Sequence, residues 1–244
     1  VLRSGALVSR FQVPGSRFLT ICLVTDSRRL AGPAAAYSDR RRCLLGQARF
    51  AVDAGVDLIQ VRERDLDAAA LAETVSELLT VTRRTASRIV VNDRLDVALA
   101  CGADGVHLRA DSIPIAAARR LAPAGFLVGR SVHTAREAAD AADADYLVAG
   151  TVFRSPSKDL SQRLLGIDGL RAIVAATAVP VLAIGGLSLD NVDAVAATGV
   201  AGVAAIGLFM QPPGETEDRA CAATDLRVVV SGLRARFDRV NTGP

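Results

Sequence analysis

The chain has no tryptophan, one methionine, two histidines and four cysteines in 244 residues. Aromatic residues make up only 4%, and the formal net charge is +3. That leaves little to stack on nucleic-acid bases and little charge to follow a phosphate backbone, so a nucleic-acid binder is excluded. Cys22, Cys43, Cys101 and Cys221 are too sparse for a disulfide framework, and no Cys-x-x-Cys pair supports a zinc ribbon or a thioredoxin-type motif. No uninterrupted apolar run approaches the roughly 20 residues of a membrane span. Val1–Arg17 carries Arg, Ser and Gly without the apolar stretch of a secretory signal, so a cytoplasmic setting is expected. Lysine is scarcer still: Lys158 stands alone against 28 arginines. GC-rich coding explains the arginines, and it makes the one remaining lysine a candidate for a specific role.

What is present is apolar and repetitive. Half of the residues are hydrophobic and 23% are charged, which excludes a disordered chain. Short apolar runs recur at Leu19–Val24, Leu58–Val61, Ile89–Val91, Gly105–Leu108, Leu127–Gly129, Tyr146–Ala149, Val181–Ile184 and Val203–Ile206. Each is too short for a buried helix and too uniformly apolar for a half-exposed strand, as parallel strands covered on both faces would be. Helical patterns lie between them at Leu66–Thr82, Ala135–Ala142, Gly169–Ala176, Asn191–Thr198 and Asp225–Phe237. Gly55, Gly102 and Gly199 precede strands where left-handed helix caps are expected. Eight strand–helix units predict a single-domain (β/α)8 TIM barrel over residues 19–237, with an extension at 1–18 and a loose polar tail at 238–244. A doubly wound open sheet is the alternative, but Thr25-Asp26-Ser27 after the first strand is no Gly-x-Gly-x-x-Gly turn. Ser27–Asp39 reads as a loop or short insertion, and Arg154–Gly166 as a lid.

In such a barrel, chemistry sits in the loops after the strands. After strand two, alternation places Gln60, Arg62 and Arg64 on one face. Two guanidiniums there suit a phosphate or pyrophosphate. A strand end salt-bridged through Glu63 and Asp65 fits the same residues. After strand three, Asp93 fits either a helix cap or a metal carboxylate beside the Asn92 amide. Both histidines, His107 and His133, fall at strand ends. The strand-six loop gathers Thr151, Ser155, Ser157 and Lys158 as an anion-binding lid. Gly185-Gly186 after strand seven and Ile206-Gly207 after strand eight occupy the place of a backbone-built phosphate site. Two anion sites facing one pocket suit a transferase acting on small phosphorylated molecules.

These stretches resemble the family of thiamine-phosphate synthase and the TenI-type thiazole tautomerases. The resemblance runs from about Leu19 to Phe209. It is carried by Leu23-Val24-Thr25-Asp26, Gln60-Val61-Arg62-Glu63-Arg64-Asp65, Val91-Asn92-Asp93-Arg94, Gly102–Leu108, Gly129 with Ser131 and His133, Ser157-Lys158 and Ala183-Ile184-Gly185-Gly186. The synthase joins a hydroxymethylpyrimidine diphosphate to a thiazole phosphate through a pyrimidine cation. The resemblance implies Gln60 and Asn92 on the pyrimidine, and Arg62, Arg64, Ser131 and Lys158 on the leaving pyrophosphate. Ser155 and Ser157 stand where the family has threonines. Gly186, Ile206 and Gly207 would present amides to the thiazole phosphate. Asp93 would bind Mg2+, and a homodimer is possible.

The chain departs from the synthase pattern after strand four. His107-Leu108-Arg109-Ala110-Asp111-Ser112 places Ser112 where a second metal carboxylate is usual, with Asp111 one residue away as its substitute. Arg64 replaces a lysine and Arg154 a proline, and the added cation at Arg109 or Arg154 would take over part of the metal's charge. A metal-free tautomerase using His133 is the competing reading, and a non-catalytic barrel that binds a thiamine precursor is a third. Retention of Arg62, Asn92-Asp93 and Ser157-Lys158, which serve a pyrophosphate, favours the synthase.

Overall fold

Side-chain parity along the strands decides what faces the axis and what faces the helices. A computed structural model describes residues 19–154, 164–210 and 226–242. Its strands are β1 (Thr20–Val24), β2 (Leu58–Val61), β3 (Arg88–Asn92), β4 (Gly105–Leu108), β5 (Leu127–Val132), β6 (Tyr146–Gly150), β7 (Val181–Ile184) and β8 (Gly202–Ala205). Each pairs in parallel with the next, and β8 returns to β1, so the sheet closes into the expected barrel. Ile21, Ile59, Ile89, Val106 and Val128 point outward into the main core beneath the helices. Cys22, Leu58, Val90, Leu127, Tyr146, Leu182 and Ala204 point inward and fill the axis as a separate apolar cluster. Gly129 has a packing reason: a Cβ there would run into the Tyr146 ring. The Cys22 thiol, sealed in this interior, is pushed up to about 12 by burial.

The outer ring comprises α1 (Ser27–Ala31), α2 (Tyr37–Asp53), α3 (Ala68–Thr82), α4 (Leu95–Cys101), α5 (Ile115–Leu121), α6 (Ala135–Ala139), α7 (Gly166–Ala175), α8 (Val192–Ala196) and α9 (Leu226–Thr242). A single 3-10 turn follows β8 at Gly207–Phe209. The expected glycine caps are left-handed, with φ of 85° at Gly55, 67° at Gly102 and 85° at Gly199. Three expectations change. The stretch Ser27–Asp39 holds α1 and the first turn of α2, and α1 is started by Asp26 accepting from the Arg29 amide at 3.1 Å. The polar segment after Phe237 continues α9 to Thr242. β5 extends to Val132, so Ser131 belongs to the strand itself.

The floor of the barrel is tied by a recurring device. Asp57, Asp104 and Asp145 precede β2, β4 and β6. Each accepts from a backbone amide near the start of the preceding strand: Ile21 at 2.9 Å, Ile89 at 2.8 Å and Val128 at 2.6 Å. Arg234 of α9 reinforces the first, at 3.1 Å from Asp57 and 3.1 Å from the Leu19 carbonyl. Arg119 of α5 reinforces the third, at 2.7 Å from Asp145. Residues 1–18 lie outside the described residues.

Candidate active site

The parity that buries Leu58 and Val90 brings the next inward residues, Gln60 and Asn92, together one layer higher. Gln60, 3% exposed, donates its Nε2 to Asn92 Oδ1 at 2.9 Å. Its Oε1 is buried and has no partner among the described residues. An amide–amide bond leaves one acceptor on the donating amide and one NH2 on the accepting amide. The pair therefore offers a ligand one acceptor and one donor side by side.

On the neighbouring strand β4, in register with Asn92, buried His107 bridges two hydroxyls. Its Nδ1 lies 3.2 Å from Tyr146 Oη and its Nε2 lies 2.9 Å from Ser131 Oγ. Burial, and to a lesser degree the charge of Arg130, push His107 down to about 3, so the ring is neutral near pH 7. It donates from one nitrogen and accepts at the other, which fixes the Ser131 hydroxyl. Gln60, Arg62, Arg64, Asn92, Ser131 and His133 all line one cavity of about 420 Å3 at the mouth.

Arg62 and Arg64 enter this cavity just past β2. Glu63 and Asp65 do not pair with them, which overturns the salt-bridged strand end. Glu63 accepts from Thr25 Oγ1 at 2.7 Å, and from the Ser27 amide at 3.1 Å and hydroxyl at 2.5 Å. Asp65 pairs with Arg40 of α2 at 2.8 Å, and that bond holds its carboxyl below the usual range. Thr25 Oγ1 in turn accepts the Arg62 amide at 2.9 Å. The buried network thus sets the backbone of Arg62 and leaves its guanidinium without a carboxylate partner among the described residues. Burial, and then the charge of Arg64, lower the pKa of Arg62. An anion entering the mouth would relieve both effects.

Asp93 ends β3 in the left-handed region, with φ of 62°, a conformation aspartate tolerates better than most residues. It does not cap α4, whose N-cap is Arg94. Its Oδ1 accepts the Ser112 hydroxyl, and its Oδ2 lies 3.6 Å from Arg109. Arg109 pairs with Asp111 at 2.6 Å. Ser112 Oγ also accepts the Arg109 amide at 2.8 Å, which pins the β4 loop to the end of β3. His133, after β5, makes a 2.5 Å bond from Nδ1 to the Gly150 carbonyl. A carbonyl only accepts, so Nδ1 carries a proton, and Nε2 is the ring nitrogen left to a ligand.

The glycines after β7 serve packing first. Gly185 and Gly186 have φ of 107° and 63°, and a Cβ on either would strike the loop after β6. Ile206 lines the mouth cavity. Gly207 faces more open space, with Arg29 Nη2 3.7 Å from the point where its Cβ would lie. Ser155, Ser157 and Lys158 lie outside the described residues. Arg29, Arg40, Glu63 and the hydroxyl role of Ser112 were not read from the sequence as parts of the site. Only Arg29 had a local signal, the Asp26 cap three residues before it.

Known proteins are similar to this chain over most of its length. A family model described as thiamine monophosphate synthase matches residues 32–209. The thiamine-phosphate synthase of Methanoregula boonei is 45% identical over 192 residues, covering 78% of this chain and 87% of that protein. The thiamine-phosphate synthase of Pyrococcus horikoshii is 39% identical over 196 residues, covering 79% and 92%. Among solved structures, a thiamine phosphate pyrophosphorylase from Pyrococcus furiosus superposes with a TM-score of 0.72 at 34% identity, over 91% of this chain and 96% of that one.

Proposed function

The chain belongs to the thiamine monophosphate synthase family, and we propose that it joins a hydroxymethylpyrimidine diphosphate to a thiazole phosphate, releasing pyrophosphate. The observation that carries this reading is the Gln60–Asn92 pair, with its open acceptor and donor, beside an Arg62 guanidinium that has no carboxylate partner among the described residues. An aminopyrimidine offers the complementary edge, an amino donor next to a ring-nitrogen acceptor. Its diphosphate then reaches Arg62, Arg64 and Ser131.

The bond from the pyrimidine methylene carbon to the diphosphate oxygen breaks, and its electron pair leaves with pyrophosphate. The thiazole nitrogen closes on the methylene carbon with its own lone pair. No proton moves at either reacting atom, so the protein's task is electrostatic. Arg62 and Arg64 stabilise the departing charge, and neutral His107 holds the Ser131 hydroxyl where it can donate to a phosphate oxygen. Ser155, Ser157 and Lys158 join the pyrophosphate side by family resemblance. Gly186, Ile206 and Gly207 hold the thiazole phosphate, with Arg29 as an additional cation near Gly207.

Magnesium is the ion the resemblance implies, with Asp93 as a ligand and Asp111 as the substitute for the carboxylate replaced by Ser112. It binds through one or two carboxylates together with substrate phosphates and water. Among the described residues no group of three His, Cys, Asp or Glu side chains is arranged to hold a metal. Asp93 is engaged by Ser112 and faces Arg109, while Asp111 is turned onto Arg109. This donor set does not fit a preassembled magnesium site.

One observation favours a second reading. With the ring neutral, Nε2 of His133 is a base in a residue lining the cavity, which a thiazole tautomerase would use. A turnover assay separates the two. Pyrimidine diphosphate and thiazole phosphate are supplied, and thiamine phosphate is read by oxidation to fluorescent thiochrome. The synthase reading expects product, lost in Arg62→Ala. Folded protein that makes none, yet isomerises a thiazole carboxylate phosphate until His133→Ala, overturns it.

A further inference from the structure

We infer that Arg109 is a resident counter-cation for the pyrophosphate: its guanidinium, parked between Asp93 and Asp111, transfers to the diphosphate and holds it without a metal ion. The inference rests on the synthase reading above.

Position is the first ground. Arg109 follows β4 directly and lines both the mouth cavity and an adjoining cavity of about 240 Å3. Arg64 and Asn92 line both spaces as well, so the three residues form the passage between them. A diphosphate attached to a pyrimidine on Gln60 and Asn92 reaches this passage.

Charge is the second. Of the carboxylates along the two cavities, Glu63 is consumed by Thr25 and Ser27. Asp93 and Asp111 remain, and both would repel a diphosphate. Arg109 faces both and neutralises them in part. A magnesium ion at the same place would have to displace the guanidinium from Asp93 and the Ser112 hydroxyl from the other Asp93 oxygen. The protein has thus placed a fixed cation where a metal would otherwise be recruited.

Mobility is the third. The backbone of Arg109 is pinned at 2.8 Å by Ser112 Oγ. Among the described residues its side chain is held only by a 3.6 Å contact to Asp93 and by a bond to Asp111, whose side chain is 70% exposed. Solvent-exposed pairs of this kind are weak. A pyrophosphate accepts two parallel bonds from the guanidinium fork and competes well for it.

The test is calorimetric binding of inorganic pyrophosphate to the full chain, in EDTA and in saturating magnesium. The wild type is expected to bind in EDTA. Arg109→Ala is expected to bind at least tenfold more weakly there, and to regain more from magnesium than the wild type does because Asp93 and Asp111 are freed. Asp111→Asn removes one tether and one repulsive charge while keeping the guanidinium, so it is expected to bind pyrophosphate in EDTA at least twofold more tightly. It decides the question if Arg109→Ala fails to fold. Equal binding by wild type and Arg109→Ala in EDTA overturns the inference, as does a wild type that binds pyrophosphate only with magnesium. Thiamine phosphate formation measured alongside keeps the two ideas apart. Turnover with either overturning result sinks the role of Arg109 alone, whereas folded protein without turnover sinks the synthase reading itself.

Discussion

The two ends of the barrel are built from the same kinds of residue and treat charge in opposite ways. At the floor, Asp57, Asp104 and Asp145 each close a backbone amide, and arginines from α9 and α5 complete two of them. At the mouth, Arg62 and Arg64 have no carboxylate partner among the described residues, Gln60 Oε1 is open, and Asp93 sits at positive φ. The floor is satisfied and the mouth is not. Unmet bonds and desolvated charge are what a site holds in reserve for a ligand, whereas closed ones hold the fold.

Substitutions can break that contrast. The largest expected effect is Arg62→Ala, which should lower kcat/KM roughly 100- to 1,000-fold, the scale seen when one preorganised charge-stabilising donor is removed. Its melting temperature should hold or rise, because a partly buried cation without a carboxylate partner among the described residues leaves the folded state. A matching fall in melting temperature would mean that the mouth is structural too. Asp145→Ala should do the reverse. It strands the buried Val128 amide and frees Arg119, and should cost about 2 kcal/mol in urea unfolding with turnover per folded molecule unchanged.

The next effect is a pH dependence. His107 is held at about 3 against an ordinary 6.5. Its contribution is complete above pH 6.5. Between those values the unfolded chain takes up a proton that the folded chain refuses. Stability should therefore fall as pH drops through this window, by about 1.4 kcal/mol per unit from this group, until the loss is complete near its folded value. His107→Gln should flatten that part of the urea-denaturation profile. The smallest effect is at the outer ring, where Asp168 pairs with Arg171 at 2.9 Å with its side chain 99% exposed. Asp168→Asn should change neither melting nor turnover measurably.

The strands were legible because they are mostly buried on both faces and so read as short, largely apolar runs; β2, β4 and β7 match their runs residue for residue. Helices were less legible where their buried side lacks large apolar residues. α2 turns Cys43, Leu44, Gln47, Ala48 and Ala51 inward and carries Arg40-Arg41-Arg42 near its start, so no Leu/Val stripe announces it. α4 and α5 span seven residues each, about two turns, which is too short for a period to show. In the site, alternation was enough to put Gln60, Arg62 and Arg64 on one face, and all three line the mouth cavity. The partners of Glu63, Asp93 and Arg109 were not legible, because loops far apart in the chain decide them. Asp93 and Ser112 are 19 residues apart, and Arg40 and Asp65 are 25 apart.

The Tyr146 ring over Gly129 has a kinetic consequence. Among the described residues that ring, with Leu58, Val90, Leu127 and Leu182, fills the axis beneath Gln60, so the mouth cavity is approached from the C-terminal ends of the strands. On the synthase reading the pyrimidine lies deeper than the thiazole phosphate, and ordered kinetics are expected, with the pyrimidine diphosphate loading first.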